Sequence, residues 1–354
     1  MLFDKFYRKL KLGFFLAICL ILIPNLASAD VFAKVGTAGL QFLKIGVDAR
    51  GIGMGNAYTP YVKGAASSYW NLAGLAHTQK TELFLSHLEY VADIKYEYAT
   101  IAIPTSIGVF ALNNAILHMG WMDVTTEEQF GPNGEEFTAS DIMAGISYAT
   151  KLTGKFALGI GAKYLRENLD EYDVTGWAVD VGTQYNTGWK DVTIGMSLRN
   201  FGPDLKYSVD EDHDGLIDED EFDLLDNDGD GLIDEDKKEL SFVLPMNFSL
   251  GLSMNLYKNK LQSLNGVFQL DNCVDREETY SLGGEYQIGT FFLRAGKLFN
   301  YDAQNYAFGL GWRVATAFAI LDIDVAYNSM GDLEENDGNS FLEGSKRVSL
   351  RMQF

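Results

Sequence analysis

From about residue 81 to the C-terminus, apolar side chains recur at every second position, in about fourteen segments that mostly run ten residues or more. Tyr280, Leu282, Gly284, Tyr286 and Ile288 alternate with Ser281, Gly283, Glu285 and Gln287. Tyr306, Phe308, Leu310 and Trp312 alternate with Ala307, Gly309, Gly311 and Arg313, and Leu321, Ile323, Val325 and Tyr327 with Asp322, Asp324 and Ala326. Period two places successive side chains on opposite faces of a sheet. Ordinary globular strands average about five or six residues, whereas a tilted strand that crosses a bilayer needs about nine to eleven. The expected segments start near Thr81, Lys95, Ser106, Ala139, Lys155, Tyr172, Lys190, Leu240, Leu261, Glu277, Thr290, Ala303, Thr316 and Leu342.

The connections carry the same message. Every second one is short: Pro104-Thr105, Thr153-Gly154, Asn186-Thr187-Gly188, Lys258-Asn259, Gly289 and Val314-Ala315. Those between are mostly long and polar: Gly120 to Thr138, Glu167 to Asp170, Phe201 to Glu239, Asn272 to Arg276, and Met330 to Phe341. Short periplasmic turns alternating with long external loops define a transmembrane barrel. An even strand number lets the sheet close without an exposed edge. The inward positions are Gly, Ala, Ser, Gln, Asp, Glu and Arg, so the lumen should hold water or a plug rather than a solid apolar core. Tyr90, Tyr98, Trp121, Tyr148, Trp177, Tyr185 and Tyr327 fall near strand ends and are expected in interfacial girdles. The fold class is therefore all-β, a transmembrane antiparallel barrel of about fourteen strands over residues 81–354.

Both ends agree. Lys5, Arg8, Lys9 and Lys11 precede an apolar run from Leu12 to Leu26 and the small-residue triplet Ala27-Ser28-Ala29, which reads as a signal peptide over residues 1–29. Cys19 would leave with it, so Cys273 has no intrachain partner. At the other end Val348, Leu350, Met352 and Phe354 alternate with Ser349, Arg351 and Gln353, as a closing strand with a terminal aromatic would. The expected location is a bacterial outer membrane.

Residues 30–80 have no clear period. Gly51, Gly53 and Gly55 superficially suggest a nucleotide loop, but no strand precedes them and no phosphate-binding lysine follows. A compact hatch inside the barrel, with glycines allowing tight turns, is the better reading. Its most distinctive stretches are Asp48 to Tyr58, containing Arg50, Gly51, Gly53, Met54 and Gly55, and Ser67 to Leu75, containing Trp70, Asn71 and Ala73.

The Ala-Arg-x-x-Gly-Met-Gly-x-Ala run, followed by Tyr-Trp-Asn-x-Ala-Gly-Leu, resembles the start of PorV/PorQ family barrels, which are relatives of the FadL long-chain fatty-acid transporters. The resemblance implies a hatch-plugged fourteen-stranded barrel. It also implies one of two activities: type IX secretion and surface attachment, with secretion subunits and exported cargo as partners, or passage of hydrophobic small molecules. The PorV/PorQ likeness of the N-terminal run leans toward the first. FadL-like members carry Asn-Pro-Ala near the end of the hatch, and here Asn71-Leu72-Ala73 has leucine at the middle position.

One loop contains metal chemistry. Asp210, Asp212, Asp214, Gly215, Leu216, Asp218 and Glu221 occupy positions 1, 3, 5, 6, 7, 9 and 12 of an EF-hand-type calcium loop. Sixteen residues on, Asp226, Asp228, Asp230, Gly231, Leu232 and Asp234 repeat the pattern, but Lys237 stands at the twelfth position. Calcium needs oxygen donors around a tight turn, and the glycine permits that turn. One or two ions are expected within the insertion at 204–239. That insertion holds 17 acids and 3 lysines, a net of -14, in a chain whose charge is -21. The first 29 residues carry four bases and one acid, so the chain without them stands at -24, and the loop accounts for more than half. The loop is expected on the extracellular side. His77, His87, His118 and His213 form no spaced metal set, no nucleophile motif appears, and no enzyme activity is expected. The acidic balance gives no support for nucleic-acid binding.

Overall fold

A computed structural model describes residues 36–90, 94–124, 134, 136–169, 172–207, 240–301, 304–329 and 345–354. The expected signal peptide and all the expected calcium ligands, from Asp210 to Asp234, lie outside the described residues.

Fourteen strands close into one antiparallel barrel. In chain order they are β1 (Glu82–Glu89), β2 (Lys95–Pro104), β3 (Val109–His118), β6 (Ala139–Lys151), β7 (Phe156–Leu169), β8 (Tyr172–Asn186) and β9 (Thr193–Phe201), then β12 (Asn247–Lys258), β13 (Gln262–Cys273), β14 (Thr279–Ile288), β15 (Phe291–Phe299), β16 (Tyr306–Ala315), β17 (Ile320–Asn328) and β18 (Ser345–Gln353). Two short hairpins stand outside the ring: β4 (Met122–Asp123) with β5 (Glu136–Phe137), and β10 (Leu205–Tyr207) with β11 (Leu240–Phe242). The last strand pairs with the first, Glu82 opposite Gln353, and the Phe354 N–H donates to the Thr81 carbonyl at 3.0 Å. Closure leaves no edge, as a backbone in hydrocarbon requires.

Connections at one end are short: 105–108, 152–155, 187–192, 259–261, 289–290 and 316–319. The opposite end holds the longer ones, chiefly 119–138, 202–246 and 329–344. The two-residue connection at 170–171 is an exception, and there β7 and β8 are themselves long, at 14 and 15 residues.

One expected start is corrected. Leu240 does not open a barrel strand. Leu240–Phe242 pairs with Leu205–Tyr207, Ala38 bridges Val243, and the barrel resumes at Asn247. Pro245 separates the two segments and has no N–H to give a ladder. Two expected girdle residues are corrected as well. Tyr98 faces inward, where its hydroxyl bonds Ser68 Oγ at 2.8 Å, and Tyr90 packs against the same luminal cluster. Trp177, Tyr185 and Tyr327 do face outward. The register explains the slip: strand position was read correctly, but Tyr98 belongs to the inward set with Tyr96 and Thr100.

Outward positions are apolar around the ring, with Leu112, Ile146, Ile160, Leu293, Leu310 and Ile323 exposed. Toward the short-turn end, aromatic pairs Phe110–Tyr148, Phe156–Tyr185 and Phe291–Trp312 form a girdle, with ring centroids 5.0, 6.5 and 6.3 Å apart. Phe318, at a short turn, is 89% exposed. So much exposed apolar surface on a closed ring is explained by hydrocarbon around it.

Candidate functional site

The lumen is filled by residues 36–81. A short helix, Ala49–Gly53, packs against β15, β16, β17 and β18, and a 3₁₀ turn, Leu72–His77, against β6, β7 and β8. Asp48 starts the helix, its carboxylate accepting from the Arg50 N–H at 2.9 Å and from Ser349 Oγ of β18 at 3.2 Å. Asn71 does the same for the second turn, accepting from Ala73 N–H and donating Nδ2 to the carbonyls of Thr59 and Thr183. Leu72, where the FadL-like pattern has proline, is buried against Gly159 and Gly161 of β7. Trp70 sits beside Tyr58 and Tyr69 in edge-on contacts at 5.9 and 5.0 Å.

The three glycines have two different explanations. Gly55 has a φ of 65°, the left-handed region, and is a turn residue as expected. Gly51 and Gly53 are helical, and what they supply is close approach. A Cβ on Gly51 would meet Trp70 and Tyr58 at 2.8 Å, and one on Gly53 would meet the Gly309 Cα of β16 at 2.8 Å. Met54 is fully buried, its carbonyl lying against Gly283 of β14. The barrel answers with glycines of its own. Gly195 and Gly251 accept Pro60, Gly182 accepts Asn71, and Gly296 accepts Met54 and Gly55. Backbone of the plug therefore lies on backbone of the wall, with no room for water between.

The firmest attachment is ionic. Arg50 grips Glu285 of β14 with two hydrogen bonds, Nε to Oε2 and Nη2 to Oε1, both 2.7 Å. Tyr61 donates to Oε1 at 2.9 Å, and Arg294 of β15 donates Nε to Oε2 at 2.7 Å. Glu285 is 1% exposed, so its two oxygens exchange water for four protein donors. Arg294 continues to Asp324 at 2.6 Å. Asp322 is held by Arg313 and Arg351. Phe292 lies among three guanidiniums, with Arg50, Arg294 and Arg313 at 5.6, 5.2 and 5.3 Å from its ring centre. The alternation pattern had placed Glu285, Arg313, Asp322 and Asp324 inward. It gave no sign that Arg50, more than 200 residues earlier, would be the partner of Glu285. A second tie joins Lys44 and Gln41 to Asp275, each at 2.8 Å. Burial alone would raise the Asp275 carboxyl, but those hydrogen bonds and that of Cys273 hold it below its usual range.

At the short-turn end of the plug, His77 is half buried beside Lys63 and Lys151. Burial first, then the two lysines, push its imidazole down to about 4. A base held below its unfolded value of 6.5 binds fewer protons when folded, so stability falls as pH drops from 6.5 toward 4. Amides of residues 72–78 should therefore exchange faster at pH 4.5 than the change in intrinsic exchange predicts, and His77→Gln should remove the difference. An unchanged difference in the variant would place the sensitive group elsewhere.

Above the plug, toward the long-loop end, is a cavity of about 560 Å³. Its floor is Phe42, Ile52, Tyr69 and Trp70, and its wall includes Ile94 and Leu117. The same wall carries Arg199, Arg276 and Arg347. The Arg50, Gly51, Gly53, Met54, Gly55, Trp70, Asn71 and Ala73 set is thus brought together in one body, with Trp70 alone of these reaching the cavity.

No protein-family model matches the chain, and no curated protein matches it. Solved structures do. The Pseudomonas putida toluene transporter TodX superposes with a TM-score of 0.54 at 13% identity, covering 87% of this chain and 96% of that one. The monoaromatic hydrocarbon channel CymD gives 0.52 at 13% identity, covering 87% and 98%. The Ralstonia pickettii toluene transporter TbuX gives 0.50 at 11% identity, covering 87% and 96%. The chain shares the closed antiparallel barrel fold of these proteins.

Proposed function

We propose that this chain is a plugged outer-membrane channel for small hydrophobic molecules, and not an enzyme. The observation that carries the reading is the sealed lumen beneath an aromatic-floored cavity of about 560 Å³, a size suited to a small ligand. The solved structures of similar fold, a toluene transporter and a monoaromatic hydrocarbon channel, support it. The long-loop end then faces outward, as in other such barrels. The test is uptake of labelled toluene by cells that express the chain and lack their own hydrocarbon channels. Several-fold faster uptake than vector-only cells supports the reading, and equal uptake with the barrel present in the membrane sinks it.

Secretion and surface attachment, with type IX subunits and cargo, is the second reading. The PorV/PorQ-like run at Ala49 to Ala57 favours it. That run is spent on the contacts of the plug with Gly283, Gly296, Gly309 and Glu285, a use equally suited to a small-molecule channel. Copurification with secretion subunits from native membranes would favour the second reading.

The insertion at 204–239 is proposed to bind calcium through Asp210, Asp212, Asp214, Leu216, Asp218 and Glu221, with Asp226, Asp228, Asp230, Leu232 and Asp234 as a second set. It emerges between β9 and β12, at the long-loop end, where external calcium would reach it. A site of this kind fills in the range of about 0.1–1 mM. The intact barrel should be cut within 208–239 in chelator and protected in millimolar calcium, and equal cleavage in both would remove the site.

A further inference from the structure

The cavity above the plug is only half apolar, and its polar half is poorly satisfied. Among the described residues, fourteen buried side-chain polar atoms lack a hydrogen-bond partner, and seven of them belong to side chains that line this cavity. Three are the Nε atoms of Arg199, Arg276 and Arg347. Arg347 is 4% exposed and has no ion pair or hydrogen bond among the described residues. Arg199 is 9% exposed; its Nη1 donates to the Tyr69 carbonyl at 3.4 Å, its Nη2 to the Asn247 side-chain oxygen at 2.7 Å, and its guanidinium lies over the Tyr69 ring. Arg276 lies over Tyr301 at 5.1 Å.

These arginines come from β9, β18 and the 274–278 connection, and all three line the same cavity as Tyr69. The acids of the same wall are engaged or distant. Asp271 accepts from Ser249 Oγ at 2.5 Å and from Gln269 Nε2 at 2.9 Å. Asp141 and Glu167 face each other across β6 and β7, four strands from Arg347. A buried guanidinium without a partner is costly, and Arg347, with two further arginines lining the same space, is arranged for an anion.

We propose that this cavity is a binding site for a monoaromatic carboxylate, the ring lying on Phe42, Tyr69 and Trp70 and the carboxylate taken by Arg347 with Arg199 and Arg276. The inference rests on the transport reading and narrows it from neutral hydrocarbon to aromatic acid. A carboxylate offers the planar pair of acceptors that a guanidinium fork matches, which toluene does not.

The test is calorimetric titration of the purified full-length barrel with benzoate and with toluene. Benzoate should bind at least about tenfold more tightly. Arg347→Met should lower benzoate affinity by about tenfold or more, shift toluene affinity by much less, and leave the melting temperature unchanged or higher, because it removes an unpaired buried charge. Arg276→Gln, at a half-buried connection outside the strands, should weaken benzoate in the same direction. Benzoate binding no tighter than toluene, or untouched by both variants, overturns the site. Cells that take up toluene while the barrel ignores benzoate would overturn the anion site alone. Tight benzoate binding without uptake of either compound would support the site and overturn the transport reading.

Discussion

Replacing Glu285 by glutamine should release the plug. The carboxylate accepts from Arg50 twice, from Tyr61 and from Arg294, all in a buried setting. A glutamine of the same shape has one acceptor oxygen and turns an NH₂ toward a guanidinium. Breaking one partner of a buried ion pair costs about 3–5 kcal/mol, because the partner's charge is left unpaired. Here two arginines lose their anion, although Arg294 keeps Asp324. The expected result is loss of amide protection over residues 49–61 and a rise in ion current through single barrels in planar bilayers. Strand amides should stay protected, since the ladder β13–β14–β15 does not depend on that side chain. Adding Arg50→Met to Glu285→Gln should restore part of the protection by removing one unpaired charge. Unchanged current and protection in Glu285→Gln would show that the plug is held by packing alone.

The second large effect concerns packing. Gly296→Leu on β15 puts a side chain where the Met54 and Gly55 backbone now lies, and no flexible atom is there to yield. Overpacking against a side chain costs about 1–3 kcal/mol, and against backbone the plug segment itself must move. We expect the variant to insert as a barrel with the plug displaced, read as trypsin cleavage after Arg50 that the parent resists. Gly154→Ala, in a short turn with open space around it, is the control and should change neither cleavage nor stability. Equal resistance in Gly296→Leu and the parent would mean that the plug does not sit on the wall as described.

The alternation of Tyr306 to Trp312 and the short turns at Gly289 and Thr153-Gly154 made the barrel legible, because a period of two with one face in hydrocarbon tolerates no slip. Most expected starts fall within three residues of the observed strands. Leu240 misled because a hairpin outside the ring uses the same residue types as a barrel strand, and only the position of Pro245 separates them. Tyr98 misled because an aromatic near a strand end suits a girdle and a lumen equally well. Within the plug, Gly51, Gly53 and Gly55 were visible as unusual, but only Gly55 is a turn glycine. The partners of the other two, Trp70 and Gly309, are 19 and 256 residues away. The same distance hid the Arg50–Glu285 pair and the arginines around Tyr69. Inward polarity can be read from a strand pattern, whereas which inward groups meet depends on closure of the ring.

Passage of a small molecule through this barrel requires the plug to yield. Ser349 Oγ of β18 lies 3.3 Å from the Ala49 backbone nitrogen, so Ala49→Cys with Ser349→Cys, in a Cys273→Ser background, should join plug to wall when oxidised. Toluene uptake by cells carrying this variant should fall to the vector level after oxidation and return on reduction. Uptake that is the same in both states, with the disulfide shown to have formed, would contradict it.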